Sequence, residues 1–280
     1  MSVRLRDVLG RHLGELRYEP TAKRIRAKLG EETIVDSDRA MLVWEPRRVV
    51  PAYAVPAEDI RAELVACVAP PPAESGTPVG FALPDVTSLP VLDPRVPFGV
   101  RSTEGEPVEL RVRGGDRSVS GFRPSEPDLS GYVIVDFAGL DTWLEEDDEI
   151  LSHPRDPFHR VDARSTSRHV QVMLDGQVVA DTTRARMVFE TLLPVRYYIP
   201  REDVLVDLEP SPKRTYCAYK GEASYWSPDV GGRAVEDLIW GYLEPLPDAA
   251  ELKGYVAFFD EKTDLVLDGT ARDRPITPWS

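Results

Sequence analysis

Hydrophobic residues recur at every second position over short stretches of the second half of the chain. Val170, Val172 and Leu174 follow this spacing, and Asp175-Gly176 comes directly after them. Residues two apart on a β-strand share one face, and Asp-Gly between such runs is a strong signal for a two-residue hairpin. The pattern therefore predicts a hairpin whose second strand covers residues 178–181.

Further β-rich stretches follow, separated by turn signals about 8–12 residues apart, as is typical of a sandwich or open barrel of two packed sheets. They cover residues 184–190, 195–199, 216–226, 255–259 and 265–267. Hairpins are predicted at Lys220-Gly221 and through residues 260–263. A short helix is predicted at residues 248–252, whereas residues 233–240 fit a helix or a strand equally well.

The chain also repeats itself, which is the signature of a duplicated domain. At an offset of 145, the matching pairs are Leu29/Leu174, Asp36/Asp181, Arg39/Arg184, Ala40/Ala185, Val43/Val188 and Glu45/Glu190. After a one-residue gap the pairs are Tyr53/Tyr197, Pro56/Pro200, Glu58/Glu202 and Asp59/Asp203; a later block matches residues 131–133 with 254–256 and Asp141 with Asp264. We therefore predict two tandem copies of one mainly β domain.

The N-terminal region and a proline-rich segment complete the predicted organisation. Leucines at positions 5, 9, 13 and 16 have helical spacing and predict an amphipathic helix over residues 3–17, within an arm that covers 1–22. The first domain is predicted at 23–155, with a proline-rich insertion at 69–97 that reads as an irregular loop. A linker at 156–167, the second domain at 168–270 and a tail at 271–280 follow.

Composition narrows the class of protein. Of 280 residues, 42% are hydrophobic and 29% are charged, the net charge is −14, and there are 26 prolines and two cysteines. A general nucleic-acid binder is not expected, because contact with phosphates needs a basic surface. A disulfide framework and a four-thiolate zinc site need more cysteines. We find no apolar run that predicts a membrane span or signal peptide, so a cytoplasmic protein is expected.

The second copy concentrates the side chains that suit a small-ligand site, which needs apolar walls and a few convergent polar groups. The candidate ligand-binding residues are Arg184, Glu190, Tyr197, Tyr198, Cys217, Lys220, Tyr225, Trp226 and Trp240. The alternative is that the aromatic residues only fill a small β core, and that Arg184 and Glu190, six residues apart on one strand face, form a structural ion pair.

Cys217 is a candidate nucleophile, since a cationic neighbour such as Lys220 would activate its thiol; the alternative is an inert thiol. Residues His153, Asp156, His159 and Asp162 are potential metal ligands at threefold spacing. Two prolines prevent the helix that would place them on one face. We therefore expect no metal site and no cofactor.

The second copy is similar to a known bacterial family. The blocks DTTRARMVFE, RYYIPREDV, TYCAYKGEASYWS, GGRAVEDLIWGY and ELKGYVAFF occur in order between Arg168 and Asp268. Together they resemble the family called domain of unknown function 427. The first copy resembles it only in DSDRAMLVWE and SGYVIVDF, and it has Arg101, Thr103 and Glu104 where the second copy has Cys217, Tyr219 and Lys220.

The resemblance implies a β-tent-like fold, in which two antiparallel sheets meet at an angle. Some relatives of this architecture hold zinc in paired-cysteine knuckles, which the lone Cys217 cannot form, and others bind small ligands in an aromatic cage. The family has also been labelled nucleotidyltransferase-like. Three hypotheses follow: a small polar or aromatic ligand bound in the second copy, a nucleotidyltransferase-like or thiol-dependent enzyme, or a structural module without a ligand. The expected partners are a small molecule and the other copy, with a homo-oligomer left open.

Overall fold

The protein was analysed as a computed structural model that describes residues 2–3, 5–67, 81–83, 87–92, 94–112 and 117–277. The chain divides into two compact units, Met1–Asp156 and Pro157–Ser280. Among the described residues, none of the helices has the length and hydropathy needed to cross a membrane.

The described parts of the N-terminal unit contain one short α-helix and antiparallel strands. Their bounds are α1 (Leu5–Arg11), β1 (Arg17–Pro20), β2 (Ile25–Leu29), β3 (Glu32–Ser37), β4 (Met41–Trp44), β5 (Ala52–Pro56), β6 (Glu63–Ala66), β7 (Phe81–Leu83), β8 (Thr87–Val91), β9 (Gly105–Arg111), β10 (Ser118–Pro124), β11 (Tyr132–Val135), β12 (Thr142–Glu145) and β13 (Asp148–Ile150). The 3-10 turns of this unit are Ala57–Asp59, Pro127–Leu129 and Phe137–Gly139.

The C-terminal unit is also built from antiparallel strands. Their bounds are β14 (Val161–Ser165), β15 (Val170–Leu174), β16 (Gln177–Thr182), β17 (Arg186–Glu190), β18 (Arg196–Pro200), β19 (Leu208–Cys217), β20 (Gly221–Val230), β21 (Arg233–Ala234), β22 (Ile239–Tyr242), β23 (Tyr255–Phe258), β24 (Asp264–Leu267) and β25 (Thr270–Ala271). Its 3-10 turns are Arg201–Asp203 and Pro247–Leu252.

The two units have the same sheet topology. In the described part of the N-terminal unit, the large sheet has the order β1-β4-β5-β11-β10-β9-β6 and the small sheet the order β13-β12-β2-β3. The C-terminal unit has β14-β17-β18-β23-β22-β20-β19 and β25-β24-β15-β16. Each strand in these four orders thus has a counterpart with the same neighbours in the other unit, whereas the β7–β8 pair and β21, which pairs with β20, lie outside the shared pattern. The predictions of a mainly β fold and of a divergent first copy are confirmed.

Each large sheet of this fold buries side chains on both of its faces. In the N-terminal unit, Tyr53 and Val55 of β5 belong to a buried cluster with Ile25 and Trp143 of the small sheet. Ala54, which points the opposite way, belongs to a second cluster with Val43, Phe122, Leu129 and Ile134. The period of two along each strand therefore serves two cores, one between the sheets and one on the far side of the large sheet.

The two hairpin turns predicted at Asp175-Gly176 and Lys220-Gly221 both form. Asp175 and Gly176 have φ values of 50° and 80°, as a type I′ turn requires, and they join β15 to β16. Gly221 has a φ of 96° at the β19–β20 turn. The segment of residues 248–252 forms part of a 3-10 turn, Pro247–Leu252, and residues 233–240 contribute to β21 and β22 rather than to a helix.

Several predicted boundaries are wrong. The helix predicted over residues 3–17 ends at Arg11, because Arg17–Pro20 pairs with β4 as the edge of the large sheet. The side chains of Leu5 and Leu9, part of the predicted leucine stripe, lie outside the described structure. The segment predicted as a linker, 156–167, contains β14, which pairs with β17.

Two further predictions are corrected by the sheet pairings. The predicted hairpin through residues 260–263 does not form, since β23 belongs to the large sheet and β24 to the small one. The proline-rich segment 69–97 is not wholly irregular, because β7 and β8 pair within it. Residues 68–80, 84–86 and 93 of the insertion lie outside the described residues.

We expect the C-terminal unit to fold without the N-terminal one. Its described buried cluster draws on residues 161–267 only, so the hydrophobic surface that stabilises it is buried within the unit. A fragment of residues 157–280 should show a cooperative thermal transition by circular dichroism and dispersed amide signals by NMR. A fragment that melts without cooperativity would contradict this expectation.

Candidate functional site

One face of the C-terminal large sheet gathers most of the unusual side chains. Residues opposite each other on paired strands point to the same face. Tyr198 is opposite Ala257, Ala257 is opposite Trp240, and Trp240 is opposite Tyr225. Val188 is opposite Arg196, which is two residues before Tyr198, so both point to the same face as Tyr198. Glu190, two residues beyond Val188, also points to this face. We call this surface the concave face.

Three of the predicted site residues lie elsewhere. Tyr197 points to the opposite face, as does Trp226, whose strand partner is Ile239. Arg184 precedes β17, and its guanidinium binds Asp203 over 2.7 Å and Glu202 over 3.3 Å. The predicted ion pair between Arg184 and Glu190 is therefore wrong, since an unbroken strand does not join these two residues.

Glu190 instead binds Lys220, which comes from the far side of the sheet. The Lys220 ammonium donates to the Glu190 carboxylate, and the two side chains are only 8% and 10% exposed. Three strands lie between β17, which ends at Glu190, and β20, which begins after Lys220. Four strand spacings would separate them by about 19 Å in a flat sheet. The large sheet and its β19–β20 turn therefore curl over the concave face, and the ion pair closes the curl.

His159 completes the surroundings of Glu190. Its Nε2 lies 3.2 Å from the Glu190 carboxylate, and its ring stacks on Tyr219 with centroids 4.3 Å apart. Burial disfavours the charged carboxylate, but the Lys220 charge and the hydrogen bonds from His159 and Lys220 outweigh it and lower the pKa of Glu190 to about 2. Glu190 therefore remains ionised at neutral pH.

The N-terminal unit closes its large sheet with a different cation. Glu45, the counterpart of Glu190, binds Arg101 over 2.8 Å and Arg48 over 3.2 Å. The Ser102 backbone N–H also donates to it, over 3.2 Å. Glu104, which aligns with Lys220, does not replace it; the cation comes from Arg101, three residues earlier. The contact is therefore retained although the aligned residue has changed its charge.

Aromatic side chains line the concave face and hold hydrogen-bond donors. Trp240 Nε1 donates to the Tyr198 hydroxyl over 3.1 Å, and Trp240 packs against Phe259 with ring centroids 4.5 Å apart. Because Tyr198 accepts from Trp240, its own hydroxyl proton is left over, and no acceptor for that proton lies among the described residues. Tyr225 lies farther along, with its hydroxyl 2.8 Å from that of Thr215.

Tyr242 adds a hydroxyl without a partner. It points to the concave face because it is two residues beyond Trp240 on β22. The residue is 6% exposed, and its hydroxyl makes no hydrogen bond to any described residue. Burial raises the pKa of Tyr242 well above its ordinary value, with Tyr198 and Cys217 adding to the rise. This hydroxyl therefore remains protonated and available as a donor.

The Lys220 ammonium also has N–H groups that Glu190 does not accept. An ammonium group has three N–H donors, and Glu190 accepts one of them among the described residues. Burial opposes the charge of Lys220, but Glu190, followed by Cys217 and Tyr198, raises the pKa of the lysine above its ordinary value. Lys220 is therefore an ammonium donor rather than a free amine.

Cys217 lies at the rim of this donor group. It is opposite Gly221 across the β19–β20 hairpin, and Thr215 opposite Ala223 shares its face. The residue is partly exposed and forms no disulfide, whereas Tyr198 and Tyr242 are buried. Cys217 shares its face with Tyr242, because Ala223 is opposite both Thr215 and Tyr242.

At the matching positions of its large sheet the N-terminal unit has apolar side chains in place of the tyrosines and the tryptophan, although the Arg101 guanidinium also lies 4.7 Å from the Phe122 ring centroid. Ala54 occupies the place of Tyr198, because it is opposite Ile134 as Tyr198 is opposite Ala257. By the same register, Phe122 replaces Trp240 and Pro107 replaces Tyr225. Pro124, two residues beyond Phe122, stands where Tyr242 stands. The same curled sheet can therefore be filled without hydroxyl groups, and the polar lining belongs to the C-terminal unit.

A second charged cluster lies beside Trp240. The Arg196 guanidinium donates to Glu261 and lies 3.3 Å from the Asp260 carboxylate. It is also 5.7 Å from the Trp240 ring centroid. Burial raises the pKa of Asp260 to about 6; the charge of Arg196 opposes this rise and that of Glu261 adds to it. This cluster therefore places a buried cation next to the Trp240 ring.

The residues of the predicted metal-like segment take separate partners. His153 Nδ1 is 2.7 Å from the Pro154 carbonyl oxygen, and His159 binds Glu190. Asp162 pairs with Arg160 and Arg164. In the ranges that the structure describes, no group of three or more His, Cys, Asp and Glu side chains is placed to hold a metal ion.

A comparison with known protein families identifies the region that contains these strands. Residues 162–269 match the model of a protein family described as a domain of unknown function, DUF427. The C-terminal unit contains a DUF427 domain. The match begins in β14 and ends after β24, so it spans the strands that build the concave face. No curated protein matches the chain.

Two residues of the candidate site, Tyr242 and His159, are not among those that the sequence predicts as ligand-binding. Tyr242 has a usable signal, because it follows Trp240 by two residues and would share its face once residues 239–242 are assigned to a strand. His159 was considered only as a metal ligand, and its contact with Glu190 joins residues 31 apart. A contact of that kind has no local pattern in the sequence.

The ion pair that closes the DUF427 domain should dominate its stability. Glu190→Gln leaves the buried Lys220 ammonium without its counter-ion, and breaking a buried pair costs about 3–5 kcal/mol. The double variant Glu190→Gln/Lys220→Met should recover part of that loss, because no unpaired charge remains. Urea unfolding curves measure both. Arg184→Ala, which removes an exposed cation, is the control and should change the unfolding free energy little.

Asp260 should make the stability of the DUF427 domain depend on pH. Its pKa is about 6 in the folded protein and about 3.9 when unfolded. The folded state therefore holds this proton to higher pH, and the contribution of Asp260 falls as pH rises from about 4 to about 6. Relative to the wild type, Asp260→Asn should gain up to about 3 kcal/mol across this window. Urea unfolding at several pH values tests this; a constant difference would refute it.

Proposed function

We propose that the DUF427 domain binds a small molecule on its concave face through groups that accept hydrogen bonds. The observation that supports this is the surplus of donors. Lys220, Tyr198 and Tyr242 carry N–H or O–H groups that no described residue accepts. Buried donors without acceptors are costly. In the N-terminal unit the places of Tyr198 and Tyr242 are taken by Ala54 and Pro124, so this sheet does not need these two hydroxyl groups.

The chemistry of the lining indicates the kind of ligand. The charges of Glu190 and Lys220 balance, so the remaining polarity of the face comes from N–H and O–H dipoles. Such a group of donors suits the oxygen atoms of a carboxylate, a phosphate or a carbonyl. The Trp240 and Tyr198 rings supply the apolar surface on which an aromatic or aliphatic body would lie.

The alternative of a purely structural module explains the aromatic residues but not the donors. Trp240, Tyr198 and Tyr225 are less than 10% exposed, as core residues would be. A core made only for stability would follow the N-terminal pattern of Ala54 and Phe122. The difference between two copies of one topology therefore favours a ligand over a packing role.

Binding can be measured by the thermal shift of the full-length protein with acetate, benzoate, benzamide, inorganic phosphate and adenosine monophosphate. For any compound that raises the melting temperature, Tyr242→Phe and Tyr198→Phe should each weaken binding about threefold to tenfold, since each removes one hydrogen bond. Calorimetric titration gives the affinities.

Two aromatic residues outside the concave face serve as controls. Tyr216→Phe makes the same change at a tyrosine of β19 that is 51% exposed, and it should leave the affinity unchanged. Trp226→Phe alters an aromatic residue of the opposite face and should also leave it unchanged. A ligand whose affinity survives both tyrosine substitutions on the concave face would show that the site is elsewhere.

A further inference from the structure

The position of Cys217 extends the proposed site and rests on that proposed function. The thiol shares the concave face with Thr215 and Tyr225, and the residue is partly exposed. It is thus the nucleophilic atom that a ligand on this face would meet. Cys67, by contrast, is exposed after β6 of the other unit.

Hydrogen-bond donors share the concave face with Cys217. Tyr242 is 6% exposed and its hydroxyl has no partner among the described residues. Tyr198 is 2% exposed and has a hydroxyl proton to give, since it accepts from Trp240. Lys220 lies on the turn between Cys217 and Gly221 and has unused N–H groups. A nucleophile beside several fixed donors resembles the arrangement that stabilises an oxyanion during addition to a carbonyl.

We propose that the concave face takes carbonyl compounds, and that the Cys217 thiol adds to them while Lys220, Tyr198 and Tyr242 stabilise the carbonyl oxygen. With an aldehyde, a bond forms between Sγ and the carbonyl carbon, and the C=O π bond breaks. Its electron pair moves to the oxygen, which takes the thiol proton. The product is a thiohemiacetal, and no oxidant, reductant or further reactant is needed.

Lys220 does not compete with Cys217 for the carbonyl carbon. Formation of a Schiff base requires a neutral amine, whereas the Glu190 carboxylate holds Lys220 as an ammonium. The lysine therefore acts on the oxygen as a donor and a positive charge, and the thiol is the atom that forms the bond. This division of roles distinguishes the site from a lysine-dependent one.

The test compares two thiol reagents on the full-length protein. 2-Cyclohexen-1-one reacts by addition of the thiol to its β-carbon; the electron pair moves to the carbonyl oxygen, and the thiol proton ends on the α-carbon. Methyl methanethiosulfonate reacts with the same thiol by exchange at sulfur and develops no charge on a carbonyl oxygen. The ratio of the two rates therefore isolates the stabilisation of the oxygen from the reactivity and exposure of the thiol.

Rates at each cysteine can be followed by peptide mass spectrometry, with Cys67 as the internal control. The enone-to-thiosulfonate rate ratio at Cys217 should exceed that at Cys67 by about tenfold or more, which is modest for an oxyanion site. Tyr242→Phe and Tyr198→Phe should each lower the ratio at Cys217 about threefold to tenfold. They should leave the ratio at Cys67 unchanged. Tyr216→Phe, folded as judged by circular dichroism, should change neither ratio.

Equal ratios at the two cysteines, or a ratio at Cys217 that both tyrosine substitutions leave unchanged, would overturn the carbonyl proposal. That failure differs from a failure of the proposed function. If benzoate or phosphate binds and Tyr242→Phe weakens its binding, the ligand site stands whatever the enone shows. If the ratio depends on the tyrosines and no acid binds, the site takes carbonyl compounds in preference to anions.

Discussion

A buried carboxylate bound to a cation from the opposite side of the sheet is the contact on which each unit depends. Glu190 and Lys220 make it in the C-terminal unit, and Glu45 and Arg101 make it in the N-terminal unit. In each unit the two charged residues come from positions that are several strands apart in the sheet. The pair therefore fixes the curvature of the sheet and not only a local turn. A hydrophobic pair would bury the same area but would specify the position of the turn less strictly.

The two units share this closure and differ in what it encloses. In the N-terminal unit the Arg101 guanidinium lies 3.7 Å from the Phe98 ring centroid and 4.7 Å from that of Phe122, so the enclosed space is filled by the unit's own side chains. In the C-terminal unit the cation is a lysine, and the face that it closes carries Tyr198, Tyr225 and Tyr242. Duplication thus supplies an internal reference: one copy shows what the fold requires, and the polar groups found only in the other are those that call for a separate explanation.

Much of the fold could be predicted from the sequence, because strand alternation, Asp-Gly and Lys-Gly turns and the internal repeat are all local or periodic signals. The repeat appears in the sheets as equivalent pairings: Tyr53 is opposite Leu42 as Tyr197 is opposite Met187. Likewise, Tyr132 is opposite Pro56 as Tyr255 is opposite Pro200. The site was predicted less well. Tyr198, Cys217, Lys220, Tyr225 and Trp240 lie on one face, but Tyr197, Trp226 and Arg184 do not. Adjacent strand residues point to opposite faces, and only the pairings of β17 through β23 decide which of them face inward. The partner of Glu190 depends on sheet curvature, which no local pattern records.

The insertion of the N-terminal unit enters at the turn that carries the closing cation. Residues 67–104 lie between β6 and β9, where the C-terminal unit has only Ala218–Lys220 between β19 and β20. Closing a longer loop costs little more free energy, since the cost grows with the logarithm of its length. Arg101 lies in the last part of this connection, four residues before β9 begins at Gly105, and still binds Glu45. This turn is thus a point where the architecture accepts a long inserted segment, and with it the β7–β8 strand pair, while the contact that closes the sheet is retained.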